Sequence, residues 1–220
     1  MEIKVSASTN PPKTLDELYD YIQKLNNEDV DYIHCDVMDG KFVKSKTFGA
    51  QVVKFINKLT DKTLDVHLMV KHPTSKLKGY IKAGADILTV HFEAYKNKKK
   101  LIKVLQKIRS FGAYAGLSFN PTTSVLDILP FLYYCDMLLV MSVVPGKSGQ
   151  EFMKETLLRL KTINNFLKEQ GLTIQIEVDG GVNENNVKSL KELNVNSVVV
   201  GSYLYNSKNY KNAVEALKKA

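Results

Sequence analysis

The chain has 220 residues, 44% of them apolar and 25% charged, with a formal net charge of +8. These fractions fit one soluble globular domain spanning 1–220, able to bury roughly 70% of its unfolded surface, and they exclude disordered and fibrous classes. Apolar windows such as Met137 to Val144 are too short to span a bilayer, and Met1 to Thr9 has none of the marks of a secretory leader. A cytoplasmic protein is expected, in which Cys35 and Cys135 stay reduced thiols. Of 31 basic side chains only Arg109 and Arg159 are arginines. That is a poor composition for base readout, so no nucleic-acid partner is expected and no membrane partner either. A lysine-rich surface is solvated, and it also attracts a small phosphorylated anion.

Short apolar runs alternate with stretches of helical period along the whole chain. Strands are predicted at Ile3–Ser8, Tyr32–Val37, Leu64–Met69, Ile87–Phe92, Tyr114–Phe119, Met137–Ser142, Ile174–Val178 and Ser197–Val200. Most are continuous Val/Ile/Leu runs, as parallel strands covered on both faces require. Helices are predicted at Thr14–Leu25, Gln51–Leu59, Ser75–Ala83, Lys99–Phe111, Thr123–Leu129, Glu151–Glu169, Glu184–Leu193 and Asn209–Lys219, with Gly84, Gly112 and Gly171 as stops. Eight βα units in a chain of this length predict a (β/α)8 TIM barrel, with its chemistry at the C-terminal ends of the strands.

Polar residues gather at those ends. His34 and Asp36 are two apart and share one strand face; His67 stands near the end of the third strand; Asp179 follows the seventh. On one barrel mouth, two imidazoles and two carboxylates form a site for zinc or another divalent transition metal. Asp65 is given a weaker claim, being read as turned away from the neighbours of His67. Asp39 with Gly40 reads as a turn, and His72, beside Pro73, as a loop residue. Glycine-rich loops follow the last three strands: Gly146-Lys147-Ser148-Gly149, Gly180-Gly181 and Gly201-Ser202. Such loops let backbone N–H groups approach an anion, and late βα loops of these barrels bind phosphate. Met38, Met69 and Met141 end three different strands, where they serve either as core filler or as a dry collar over the metal.

The residues closely resemble the ribulose-phosphate 3-epimerase family. The matching strings are His34-Cys35-Asp36-Val37-Met38-Asp39-Gly40-Lys41-Phe42-Val43, Leu64-Asp65-Val66-His67-Leu68-Met69-Val70 and Ala83-Gly84-Ala85-Asp86. Leu117-Ser118-Phe119-Asn120-Pro121-Thr122, Met141-Ser142-Val143 with Pro145-Gly146, and Gly149-Gln150 with Phe152 follow in order. Glu177-Val178-Asp179-Gly180-Gly181-Val182 and Gly201-Ser202 complete the series.

The resemblance implies one divalent metal ion per subunit, held by His34, Asp36, His67 and Asp179, with zinc ahead of iron, manganese or cobalt. It implies Asp36 and Asp179 as the paired acid and base. These would act through a metal-stabilised enediolate to epimerise carbon 3 of a 2-ketose phosphate, D-ribulose 5-phosphate to D-xylulose 5-phosphate in the pentose phosphate pathway. Ser8 and His67 would contact the sugar. The phosphate would lie against Gly146, Lys147, Ser148, Gly149, Gly180, Gly181, Gly201 and Ser202, with the three methionines as a collar. A homo-oligomer is expected.

Three positions depart from the family pattern. Ser6-Ala7-Ser8 replaces Ala-Pro-Ser, Lys44-Ser45 replaces Pro-Asn, and Lys147 stands where Phe or Tyr is common. Two other readings stay open: a sister epimerase acting on D-allulose 6-phosphate, and a non-catalytic phosphate-binding barrel.

Overall fold

A computed structural model of the protein describes residues 2–47 and 49–220; Met1, the first residue of the opening segment read above, lies outside them. Eight strands run parallel and close in sequence order: β1 (Lys4–Ser8), β2 (Tyr32–Met38), β3 (Thr63–Met69), β4 (Ile87–His91), β5 (Tyr114–Phe119), β6 (Met137–Met141), β7 (Gln175–Asp179) and β8 (Ser197–Val200). Around them lie α1 (Leu15–Asn26), α2 (Ala50–Asn57), α3 (Leu77–Lys82), α4 (Lys98–Ser110), α5 (Val125–Ile128), α6 (Thr156–Gln170), α7 (Val187–Glu192), α8 (Ser202–Tyr205) and α9 (Tyr210–Lys219). The expected (β/α)8 barrel is the observed architecture.

Strand alternation divides the interior into two cores. Outward residues such as Val5, Ile33, Val66 and Leu68 join the buried helix residues Leu18, Ile22, Leu101 and Leu160 in one apolar cluster. Each fully buried Leu or Ile there contributes roughly 1.5–3 kcal/mol relative to exposure. Inward residues belong to separate groups. Tyr32, Ile87 and Met137, first residues of β2, β4 and β6, plug the N-terminal end. Above the plug the strands carry buried polar side chains, among them Ser6, His34, Asp65, Thr89, Ser118, Glu177 and Ser197. Leu139, Met141, Val143 and Val199 form a further apolar group beside the mouth.

Helix ends follow local chemistry. Thr14 caps α1 by accepting the Glu17 N–H at 3.1 Å. Gly171 ends α6 in the left-handed region, at φ 61°. Helix bounds shift by up to three residues elsewhere, and three helices differ most from expectation. The fifth is one α turn, continued as a 3₁₀ segment over Leu129–Tyr134 that contains Pro130. The sixth begins at Thr156 rather than Glu151, because the intervening backbone is drawn over the barrel mouth; Met153 N–H donates to the Ser142 carbonyl at 2.9 Å. The short α8 was not expected and follows β8 directly. Cys35 and Cys135 are free and buried, which pushes each thiol up to about 12. Among the described residues, no helix is long and apolar enough to cross a membrane.

Candidate active site

Strand register assembles the site. Asp36 of β2 pairs with His67 of β3, Met38 pairs with Met69 one pleat further on, and Met141 of β6 pairs with Asp179 of β7. His34, Asp36, His67 and Asp179 each offer a ligand atom, and these atoms all lie within 4.8 Å of one another. Asp36 Oδ1 is 3.2 Å from both His34 Nε2 and His67 Nδ1, and His67 Nδ1 is 4.0 Å from Asp179 Oδ2. Two ligands bound at about 2.0–2.1 Å to one tetrahedral ion stand roughly 3.3 Å apart, so the first two separations suit a shared cation. Two imidazole nitrogens and two carboxylates are a donor set for zinc, iron, manganese or cobalt alike.

Beneath this cluster, Asp65 Oδ2 lies 2.5 Å from His34 Nδ1, both side chains wholly buried. The expectation that Asp65 turns away is therefore corrected. Asp65 and His67 are two residues apart, so a strand puts them on one face, and here both face the barrel interior. Glu177, two before Asp179, is buried on the same face of β7, and its oxygens reach the neighbourhood of His34 and Asp65. A polar chain also leads away from His67. Its Nε2 is 2.8 Å from His91 Nε2, and His91 Nδ1 is 3.1 Å from Glu93 Oε2. The i, i+2 spacing of His91 and Glu93 is the signal that could have found this pair.

The charges are set by burial and by neighbours. Burial would raise the Asp36 carboxyl, but His34 and His67 outweigh it and hold Asp36 far below the usual carboxylate range. Burial would lower His34, yet Asp65 and Asp36 raise it well above an ordinary imidazole. Burial takes His67 down to about 4, and burial together with the charge of Asp36 lifts Asp179 to about 7. Burial first, then Asp65, raises Glu177 well above its ordinary value. Glu93 would also be raised by burial, but hydrogen bonds from His91, Thr123 and the Asn120 N–H bring it to about 2. Asp36 and Asp179 are thus pushed apart, one ionised and one poised near neutrality.

Above the cluster opens a cavity of about 530 Å³. It is lined by Ser8, Asp36, Asp179, the three methionines, and all of Gly146, Lys147, Ser148, Gly149, Gly180, Gly181, Gly201 and Ser202. Ser8 Oγ donates to Asp36 Oδ2 at 3.2 Å. His67 lies below the cavity floor, wholly buried. Gly180 and Gly181 have φ of 123° and 65°; a Cβ on them would come within 2.4 Å of Val143 Cγ2 and 2.5 Å of the Phe152 nitrogen. Asn10, Asn183 and Tyr203 also line the cavity, and sequence reading missed them. Ser45 Oγ donates to the Gly146 carbonyl at 2.5 Å, tying the loop after β2 to the loop after β6. Lys147, the departure in that loop, is exposed. Asp39 makes the expected turn, accepting the N–H groups of Lys41 and Phe42 at 2.9 Å, and His72 lies in an exposed loop.

The closed barrel with a polar mouth belongs to the (β/α)8-barrel class, and solved barrels superpose over the whole chain. KGPDC from Streptococcus mutans matches with a TM-score of 0.73 at 14% identity, covering 100% of this chain and 97% of that one. The 3-hexulose-6-phosphate synthase from Salmonella typhimurium matches with a TM-score of 0.72 at 19% identity, covering 99% and 97%. At these identities the likeness shows the fold. Closer relatives show the family. The model of the ribulose-phosphate 3 epimerase family matches residues 5–205. The chain is 41% identical over 198 residues to the ribulose-phosphate 3-epimerase of Synechocystis sp., covering 90% of this chain and 85% of that protein. With the ribulose-phosphate 3-epimerase of Mycobacterium bovis it shares 39% over 189 residues, covering 86% and 81%. The chain belongs to the ribulose-phosphate 3-epimerase family, a family of isomerase-class epimerases.

Proposed function

We propose that the protein inverts carbon 3 of a 2-ketose phosphate, converting D-ribulose 5-phosphate to D-xylulose 5-phosphate in the pentose phosphate pathway. The observation that carries this reading is the pair Asp36 and Asp179, which share a histidine neighbour and titrate far apart. One carboxylate takes the proton from carbon 3, and the bonding pair moves toward the carbonyl oxygen at carbon 2 to give an enediolate. The other carboxyl delivers a proton to the opposite face of carbon 3 as the carbonyl re-forms. Family membership and the His34, Asp36, His67, Asp179 donor set support one divalent cation per subunit, with zinc first among the candidates. When bound, such an ion stabilises negative charge developing on the substrate oxygens.

The remaining residues bind and orient. Ser8 reaches the sugar from β1, and the glycine loops after β6, β7 and β8 take the phosphate on backbone N–H groups, with Lys147 adding charge at the rim. Met38, Met69 and Met141 keep the reacting centre dry. Phosphate held this far from carbon 3 supplies binding energy that orients the reacting bond. Two buried thiols accord with the proposed cytoplasmic setting, and the same reading takes the chain as one domain acting in a homo-oligomer.

The test is epimerisation of ribulose 5-phosphate beside allulose 6-phosphate, on zinc-loaded and chelator-treated protein. Zinc-dependent turnover preferring the pentulose supports the proposal. A preference for the hexulose moves the substrate to the sister epimerase, and no turnover of either by protein that binds zinc overturns both substrates. Absence of both bound zinc and turnover favours the non-catalytic barrel.

A further inference from the structure

The second polar chain, behind His67, takes no part in the proton transfers proposed above. His91 closes β4 and is wholly buried, its Nε2 at 2.8 Å from His67 Nε2 and its Nδ1 at 3.1 Å from Glu93 Oε2. Glu93 in turn accepts the Asn120 N–H at 2.8 Å and the Thr123 hydroxyl, so its place is fixed from the loop after β5. The direction of every proton in this chain follows from its far end. Glu93 accepts from the Asn120 N–H and the Thr123 hydroxyl on one oxygen and from His91 Nδ1 on the other, and with its ring proton placed there His91 accepts at Nε2. Two ring nitrogens 2.8 Å apart hold one proton between them, so His67 Nε2 is the donor. The lone pair of His67 therefore lies on Nδ1, the atom that faces Asp36 and Asp179.

We infer that Glu93 and His91 are positioning residues, which hold His67 in its Nε2–H tautomer and so aim the Nδ1 lone pair into the four-residue donor cluster. The tautomer belongs to the chain itself; its consequence for metal affinity rests on the function proposed above. Partners of this kind behind a ligating histidine typically change metal affinity by roughly 10–100-fold. They fix ring orientation and set the basicity of the ligating nitrogen, which a bare imidazole at the end of a strand lacks.

Glu93→Gln keeps the shape of the side chain but supplies an amide that can donate to His91 Nδ1, which removes the directional constraint. The first measurement is 15N NMR of histidine-labelled, chelator-treated full-length protein, with His67 assigned by its loss in His67→Asn. Wild type is expected to show His67 protonated on Nε2, and E93Q a switched or averaged tautomer. The second is zinc affinity by chelator competition. It is expected to weaken about 10–100-fold in E93Q and in His91→Phe, but to stay within about fivefold in His91→Gln, whose amide can accept from His67 and donate to Glu93. An unchanged His67 tautomer in E93Q, or zinc affinity within twofold of wild type, overturns the inference. A switched tautomer in a protein that never binds zinc upholds the relay and overturns the metal assignment, so the two failures are distinct.

Discussion

Asp65 Oδ2 and His34 Nδ1 stand 2.5 Å apart at the floor of the candidate site, and neither side chain meets solvent. The contact commits Nδ1 of His34 downward and leaves Nε2 facing Asp36 at 3.2 Å. Asp65→Asn keeps the volume and removes the charge. It is expected to weaken zinc binding about 10–100-fold in chelator competition; affinity within twofold of wild type would strip Asp65 of this role.

Asp179 links chemistry to stability. Its carboxyl, lifted to about 7 by burial and by Asp36, has an ordinary unfolded value near 4. A group raised in this way contributes stability that is complete below about pH 4 and lost as pH rises through about 7. Asp179→Asn removes that loss. The chelated variant is expected to melt several degrees above chelated wild type at pH 8, with a much smaller difference at pH 5. Turnover should fall by about 10²–10⁴-fold while phosphate binding largely survives. Near-normal turnover in the variant would sink the two-aspartate mechanism.

His67 is predicted to be a ligand rather than a packing residue. His67→Ala should lower zinc content measured on dialysed protein by elemental analysis; unchanged stoichiometry would remove it from the ligand set.

Gly181 has φ of 65°, and a Cβ there would lie 2.5 Å from the Phe152 nitrogen and 2.8 Å from the Gln150 carbonyl oxygen. Both obstacles are backbone, so Gly181→Ala must shift the loop over the mouth. A stability cost on the order of 1–3 kcal/mol is expected by thermal melting, together with a raised KM. An unaltered melting temperature and KM would show that the loop yields freely.

Lys147 is exposed on the same loop, and its carbonyl accepts from Gln150 Nε2 at 2.9 Å. Its charge acts across solvent, so Lys147→Gln is expected to raise KM roughly two- to tenfold at low salt with little change in kcat. The difference should shrink as ionic strength rises. A fall in kcat of tenfold or more would instead put Lys147 in contact with the reacting sugar.

Much of this was legible in the residues because parallel strands covered on both faces read as plain apolar runs. β5 and β8 fall where expected, and most other strands lie within a residue of expectation. The candidate ligands were legible because His34, Asp36, His67 and Asp179 fall together at equivalent strand ends, which a single polar side chain in an apolar run would not signal. Features that depend on three-dimensional pairing were harder to see. The inward turn of Asp65 needed only strand parity, correctly applied. The His67–His91 contact joins two strands through side chains, which no spacing within one strand reveals. The late start of α6 has a different cause. Glu151 to Glu155 are compatible with helix, but Met153 N–H is taken by Ser142 across the mouth, and tertiary hydrogen bonding overrides local preference.

The β2–β3 ladder pairs Asp36 with His67 and Met38 with Met69, rung by rung. A slip of one residue between these strands would turn His67 and Met69 outward together, since alternate side chains change face. With the cation proposed above, the donor quartet would form only in the correct register. A slipped β3 would place Asp65 and His67 against the apolar helix layer and would lack the donor quartet. Zinc uptake during refolding, if the proposed site holds zinc, would therefore report on register as well as on strand content.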